Sequence, residues 1–152
     1  MKLAEALVQR ADLQKRMLQV KQRAMANARV QEGEQPTEDP AGLVAAYDRL
    51  AADFQSLVER INRTNLASEV EPGVSLTAAI TRRDVLALRR GLYADLANTA
   101  TVRQDRYSRS EVKFVPVVDV RDLQSRADDL AREHRELDTA IQATNWAVDL
   151  LD

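Results

Sequence analysis

The sequence predicts an all-α protein: an antiparallel four-helix bundle with long, coiled-coil-like helices and a short β-like arm between helices 3 and 4. Three observations predict it. Apolar residues recur at steps of three and four along four separate stretches. Ala, Leu, Arg, Glu and Gln are abundant, whereas Gly and Pro number four each and fall mostly between those stretches. A chain of 152 residues is also the length of a single domain.

The first helix is predicted over about 2–29, where Leu3, Ala6, Arg10, Leu13, Met17, Val20 and Ala24 form one stripe and Leu7 and Leu18 widen it. A polar loop over 31–40 contains Gly33 and Pro36 and ends in Asp39-Pro40, a cap followed by the residue favoured at the first helical position. The second helix, about 41–66, has the most regular pattern: Leu43, Tyr47, Leu50, Phe54, Leu57 and Ile61. Asn62-Arg63-Thr64-Asn65 reads as its C-terminal cap and turn. Glu71-Pro72-Gly73 is a turn, and Ser75 caps a third helix over 76–100. Leu76, Ile80, Val85, Leu88, Leu92 and Leu96 line that helix, and Gly91 weakens it locally.

Asp119, with Asp122 three residues on, starts a fourth helix over 120–151. Its seam is Leu123, Ala127, Leu130, His134, Leu137, Ile141, Thr144, Val148 and Leu151. Such a helix would be ~48 Å long. Helices of this length on short loops pack antiparallel, and their seams often continue between subunits, so a homo-oligomer is expected.

The stretch 101–118 is the one that helix packing does not explain. Arg103, Arg106, Arg109 and Lys113 surround Tyr107, and residues 110–118 then alternate in a strand-like way through Phe114 to Pro116. Pro116 confines such a strand to an edge, and a partner strand near 100–103 would make a hairpin. As a binding surface the cluster has two readings. It contacts phosphates, with Tyr107 stacking on a base, or it forms ion pairs across a subunit interface. Four cations against two acids, in a chain of net charge −2, favour the interface.

Charge is unevenly distributed. Residues 1–30 hold seven Lys/Arg against two acids, and residues 119–152 hold four Arg against nine acids. That asymmetry fits neighbouring helices, and selects partners more than it stabilises them. Two buried polar intrusions stand out. Arg10 is expected to meet an acid of a facing helix. His134 is expected to be a hydrogen-bonded core residue rather than a metal ligand, with Asp138 one turn on and able to orient it.

Several kinds of chemistry are excluded. With no Cys there is no disulfide framework, thiolate zinc site or thiol nucleophile. The glycines at 33, 42, 73 and 91 cannot form a phosphate loop, no Gly-x-Ser-x-Gly occurs, and one His does not support a triad. No catalytic, cofactor or metal residues are assigned, and the chain reads as a non-enzymatic assembly or interaction protein. It has no secretory-signal pattern and no ~18-residue apolar run, which predicts a cytoplasmic protein with no membrane span.

A set of stretches carries a family resemblance: the opening Met1-Lys2-Leu3-Ala4-Glu5-Ala6-Leu7 with Arg10-Ala11-Asp12-Leu13-Gln14, then Val30-Gln31-Glu32-Gly33-Glu34, Ile61-Asn62-Arg63-Thr64-Asn65, the run 103–115, and Glu136-Leu137-Asp138 through Asn145-Trp146. Together they resemble the septicolysin-like family of small bacterial helical proteins. The resemblance implies a helical fold, no established activity and no catalytic residues to carry over. Its label implies a membrane-active, cytolysin-like role.

Overall fold

The computed structural model describes residues 1–101 and 114–152, and among these it is mostly helical. The element order is α1 (Leu3–Ala26), α2 (Pro40–Ala67), β1 (Glu69–Glu71), β2 (Val74–Ser75), α3 (Leu76–Ala100) and α4 (Val120–Ala147). The described chain divides into two compact units: Met1–Glu69 with Ala143–Asp152, and Val70–Gln142.

In the first unit, α1 and α2 pack as a hairpin whose core is Leu3, Ala6, Leu13, Leu43, Leu50, Leu57 and Ile61. Glu5 starts α1 by accepting from the Lys2 N–H at 2.7 Å. Asp39 caps α2 through both oxygens, accepting from Ala41 N at 3.1 Å and Gly42 N at 2.9 Å. Pro40 loses nothing at the first helical position, where its missing N–H would have no partner. Alternate members of the predicted seam, Met17, Val20, Tyr47 and Phe54, are only half-buried, and Leu18 is exposed.

α1 stops at Ala26, short of the predicted 29, because Asn27 turns the chain. Its side chain donates to Arg23 O at 3.0 Å and accepts from Glu38 N at 3.0 Å. Asn62-Arg63-Thr64-Asn65 is helix rather than cap, and Thr64 is fully buried. α4 ends at Ala147 rather than 151. The four residues after it leave the helix to pair with the chain start: Leu3 N donates to Val148 O at 3.1 Å, and Leu150 N to Met1 O at 2.9 Å. Lys2 strengthens this pairing by reaching Asp149 and Ala147 O, each at 3.0 Å. Arg60 then holds Leu151 O at 3.0 Å and Asp152 at 2.9 Å.

In the second unit, α3 and α4 run antiparallel, with Arg83 against Asp138 at one level and Tyr93 against Arg126 at another. Leu76, Ala79, Leu86 and Ala97 on α3 and Ala127, Leu130 and Ile141 on α4 are buried.

The small sheet is not where the alternation places it. The strand pair is β1–β2, around Pro72-Gly73, a stretch expected to be only a turn. Gly73 sits at φ 79°, which its missing Cβ permits, and Pro-Gly supplies type II turn chemistry. Residues 114–118 form no strand and Ala100 belongs to α3, while the rest of the expected hairpin lies outside the described residues. Pro116 lacks the N–H a ladder requires, and the flanking Val115 and Val117 are exposed, so no packed face holds them extended. The remainder of the predicted arm lies outside the described residues.

Candidate functional site

α3 carries two apolar faces, and the structure buries the one that periodicity underrates. The buried face mixes Leu76 and Leu86 with Ala79 and Ala97, and half-buried Tyr93 and Ala94 lie between them. The larger stripe, Val85, Leu88, Leu92 and Leu96, was expected to line the core and is instead exposed. Leu88 retains 75% of its surface and Leu92 59%. This is a continuous apolar strip along one helix face, at steps of three, four and four.

Its edges differ in sign. Asp84 flanks it on one side and Arg82 and Arg89 on the other, all exposed. Asp84 accepts from Arg83 Nε at 3.1 Å and Nη2 at 2.8 Å, both ending on Oδ1. Arg89 makes no ion pair among the described residues. Gly91 lies beside Leu88 and Leu92, and a Cβ built there would meet nothing within 4 Å.

Arg83 fixes how α3 faces α4, by donating Nη1 to Asp138 Oδ1 at 3.1 Å. Its pKa is raised chiefly by the hydrogen bond to Asp84; partial burial opposes this and Asp138 adds to it. Farther along, the Arg126 guanidinium lies 5.9 Å from the Tyr93 ring centre, a cation–π contact, and pairs with Asp122 at 2.8 Å. Beside Arg83 an open groove of about 280 Å³ has Leu86, Leu137 and Val70 as its floor and Glu71, Arg82, Glu133 and Glu136 around it. Among the described residues no group of His, Asp and Glu is arranged to hold a metal ion. No described helix is long and apolar enough to cross a membrane.

The residues picked out from sequence fare unevenly. Arg103, Arg106, Tyr107, Arg109 and Lys113 lie outside the described residues. Phe114 is 77% exposed. Arg10 is half-buried and makes no ion pair among the described residues. His134 is half-buried rather than core, and Asp138 serves Arg83 instead of orienting it. The charge asymmetry is realised once, in Lys2–Asp149. Sequence reasoning missed the α3 surface because it counted Val85, Leu88, Leu92 and Leu96 as core. The available signal was the second stripe of Ala79, Leu86, Ala97 and Ala100 on the other side of the same helix.

Two helical units, a zipped pair of chain ends and an open apolar strip describe a small, mostly helical protein. The comparisons place it among proteins of unknown function. Residues 10–150 match a family of unknown function, DUF6847, and the chain belongs to that family. This corrects the septicolysin-like resemblance: residues 10–150 match a different family, and the short stretches that carried the resemblance are too few and too scattered to outweigh a match over most of the chain. The chain is similar to a functionally unknown conserved protein from Corynebacterium diphtheriae, whose crystal structure has a TM-score of 0.94 and 45% identity over 99% of both chains. No curated protein matches.

Proposed function

We propose that this is a non-enzymatic assembly protein that associates with a second copy of itself through the exposed face of α3. One observation carries the reading: Val85, Leu88, Leu92 and Leu96 form an uninterrupted apolar strip left open to solvent. Scattered exposed leucines are ordinary, but four in register on one helix form the seam that a second helix covers. The strip bears acid on one edge and base on the other, so it complements itself, which selects a second copy over a partner of single charge.

Sedimentation velocity over a concentration series tests this, on wild type and on Leu88→Glu/Leu92→Glu. Wild type is expected to shift from monomer to dimer with concentration and the variant to stay monomeric. Both side chains are solvent-exposed, so the variant keeps its helical circular dichroism. Identical sedimentation of the two proteins at every concentration defeats the proposal.

A further inference from the structure

We infer that the two copies of α3 run parallel, with Asp84 of each paired to Arg89 of the other and Leu96 of each seated over Gly91 of the other. This rests on the self-association proposed above and adds its direction, register and polar contacts.

The heptad assignment follows from the exposed strip. With Val85 and Leu92 at a and Leu88 at d, Asp84 and Gly91 fall at g, and Arg82, Arg89 and Leu96 fall at e. In a parallel pair, each g residue meets the e residue five positions later on the other helix. That rule pairs Asp84 with Arg89 and Gly91 with Leu96, each twice by symmetry. In an antiparallel pair like edges meet, so Arg82 and Arg89 would face the same arginines with no acid on that edge. Like charges so placed are destabilising. Valine at a with leucine at d is also the combination that favours two parallel strands.

Two details of the protomer fit this arrangement. Both bonds from Arg83 end on Oδ1 of Asp84, which leaves Oδ2 for the arginine of a second copy. Gly91 is the second. Mid-helix glycine is destabilising relative to alanine, and apart from the backbone of its own helix no described residue comes within 4 Å of where a Cβ would stand. The described residues of the protomer therefore give no reason for a glycine there. Leu96 of a second copy does, because it needs the space a side chain would fill. Asp95 occupies the next d position and would bring two carboxylates together, so the seam ends at Leu92 and Leu96. The contact then runs about 16 Å along the helix. It uses far fewer than the roughly 20 residues a side of a standard stable interface, so the dimer is a weak, concentration-dependent one.

The absence of cysteine from the chain makes the test direct. Val85→Cys, Leu92→Cys and, as a control on another face of α3, Ala87→Cys are each oxidised at a concentration where wild type sediments partly as dimer. A parallel pair brings identical a positions to disulfide range, about 4.4–6.8 Å between Cα atoms. Val85→Cys and Leu92→Cys are each expected to form covalent homodimer as the main species, with Ala87→Cys left monomeric. If neither crosslinks alone but Leu92→Cys mixed with Leu88→Cys does, the pair is antiparallel, because a then packs against d; the inference is then wrong while self-association stands. Equal crosslinking of all three variants marks random collision and overturns the inference. If wild type stays monomeric throughout and no variant crosslinks, the α3 reading falls as well.

Discussion

Arg83 on α3 and Asp138 on α4 meet at 3.1 Å, so the carboxylate four residues after His134 is bonded to the neighbouring helix. A carboxylate one turn from a histidine looks in sequence like an orienting pair. In the structure the carboxylate instead bonds a guanidinium carried by the neighbouring helix, whose fixed positive charge and directed N–H groups favour it. On the same helix Ala79 and Leu86 are buried while Val85, Leu88 and Leu92 stay outside.

A double-mutant cycle on Arg83→Ala and Asp138→Asn is therefore expected to show coupling. Both side chains are partly exposed, so its size should be about 1 kcal/mol or less. Urea unfolding of the four proteins measures it. Additive single effects would mean that the contact orients the helices without stabilising them.

The chain ends depend on one buried hydroxyl. Thr64 Oγ1 donates to Arg60 O at 2.8 Å and accepts from Leu151 N at 3.0 Å, with no surface exposed. Thr64→Val keeps the shape but strands the Leu151 N–H, a loss of about 1–3 kcal/mol. Hydrogen exchange at Leu150 and Leu151 is expected to accelerate in the variant, together with a lower unfolding midpoint.

Asp39 is the isolated test of a helix cap. Asp39→Ala removes both acceptors from the start of α2 and is expected to cost about 1 kcal/mol, whereas Asp39→Ser retains most of the capping. Equal stability of Asp39→Ala and wild type in urea would show that the Arg23–Glu38 pair next to it holds the loop unaided.

Acid should loosen the ends of the first unit. The hydrogen bond from Arg23 holds the Glu38 carboxyl below its ordinary range, and Lys2 does the same for Asp149. A carboxyl with a depressed folded pKa contributes stability above its unfolded pKa and loses it as pH falls through the folded value. The thermal midpoint is therefore expected to drop as pH falls through and below the ordinary carboxylate range. Because these groups are solvent-exposed, the drop should shrink in high salt. Lys2→Ala/Arg23→Ala should flatten it; an unchanged profile would assign acid sensitivity elsewhere.

Gly91→Ala separates the protomer from its assembly. With open space around the site, alanine is expected to stabilise the monomer by roughly 0.5–1 kcal/mol. The same methyl group should weaken dimerisation. Measured at low and high protein concentration, the two effects have opposite signs; a stabilisation that is the same at both would leave the glycine unexplained.

The sequence by itself determined the four helices, because three-and-four spacing, Asp39-Pro40 and Ser75 act within a few residues and need no tertiary context. It located the breaks for the same reason. What it could not decide was which face of a helix with two apolar stripes turns inward. α3 offers Val85, Leu88, Leu92 and Leu96 on one side and Leu76, Ala79, Leu86 and Ala97 on another, and hydrophobicity alone selects the first. The structure buries the second, since contacts such as Arg83–Asp138 are properties of two helices together. The chain ends followed the same logic: Val148–Leu150 had helical spacing, but hydrogen bonds to Met1 and Leu3, nearly 150 residues away in sequence, drew them out of the helix. Local chemistry fixed the elements, and competition between partners distant in the chain fixed their faces and ends.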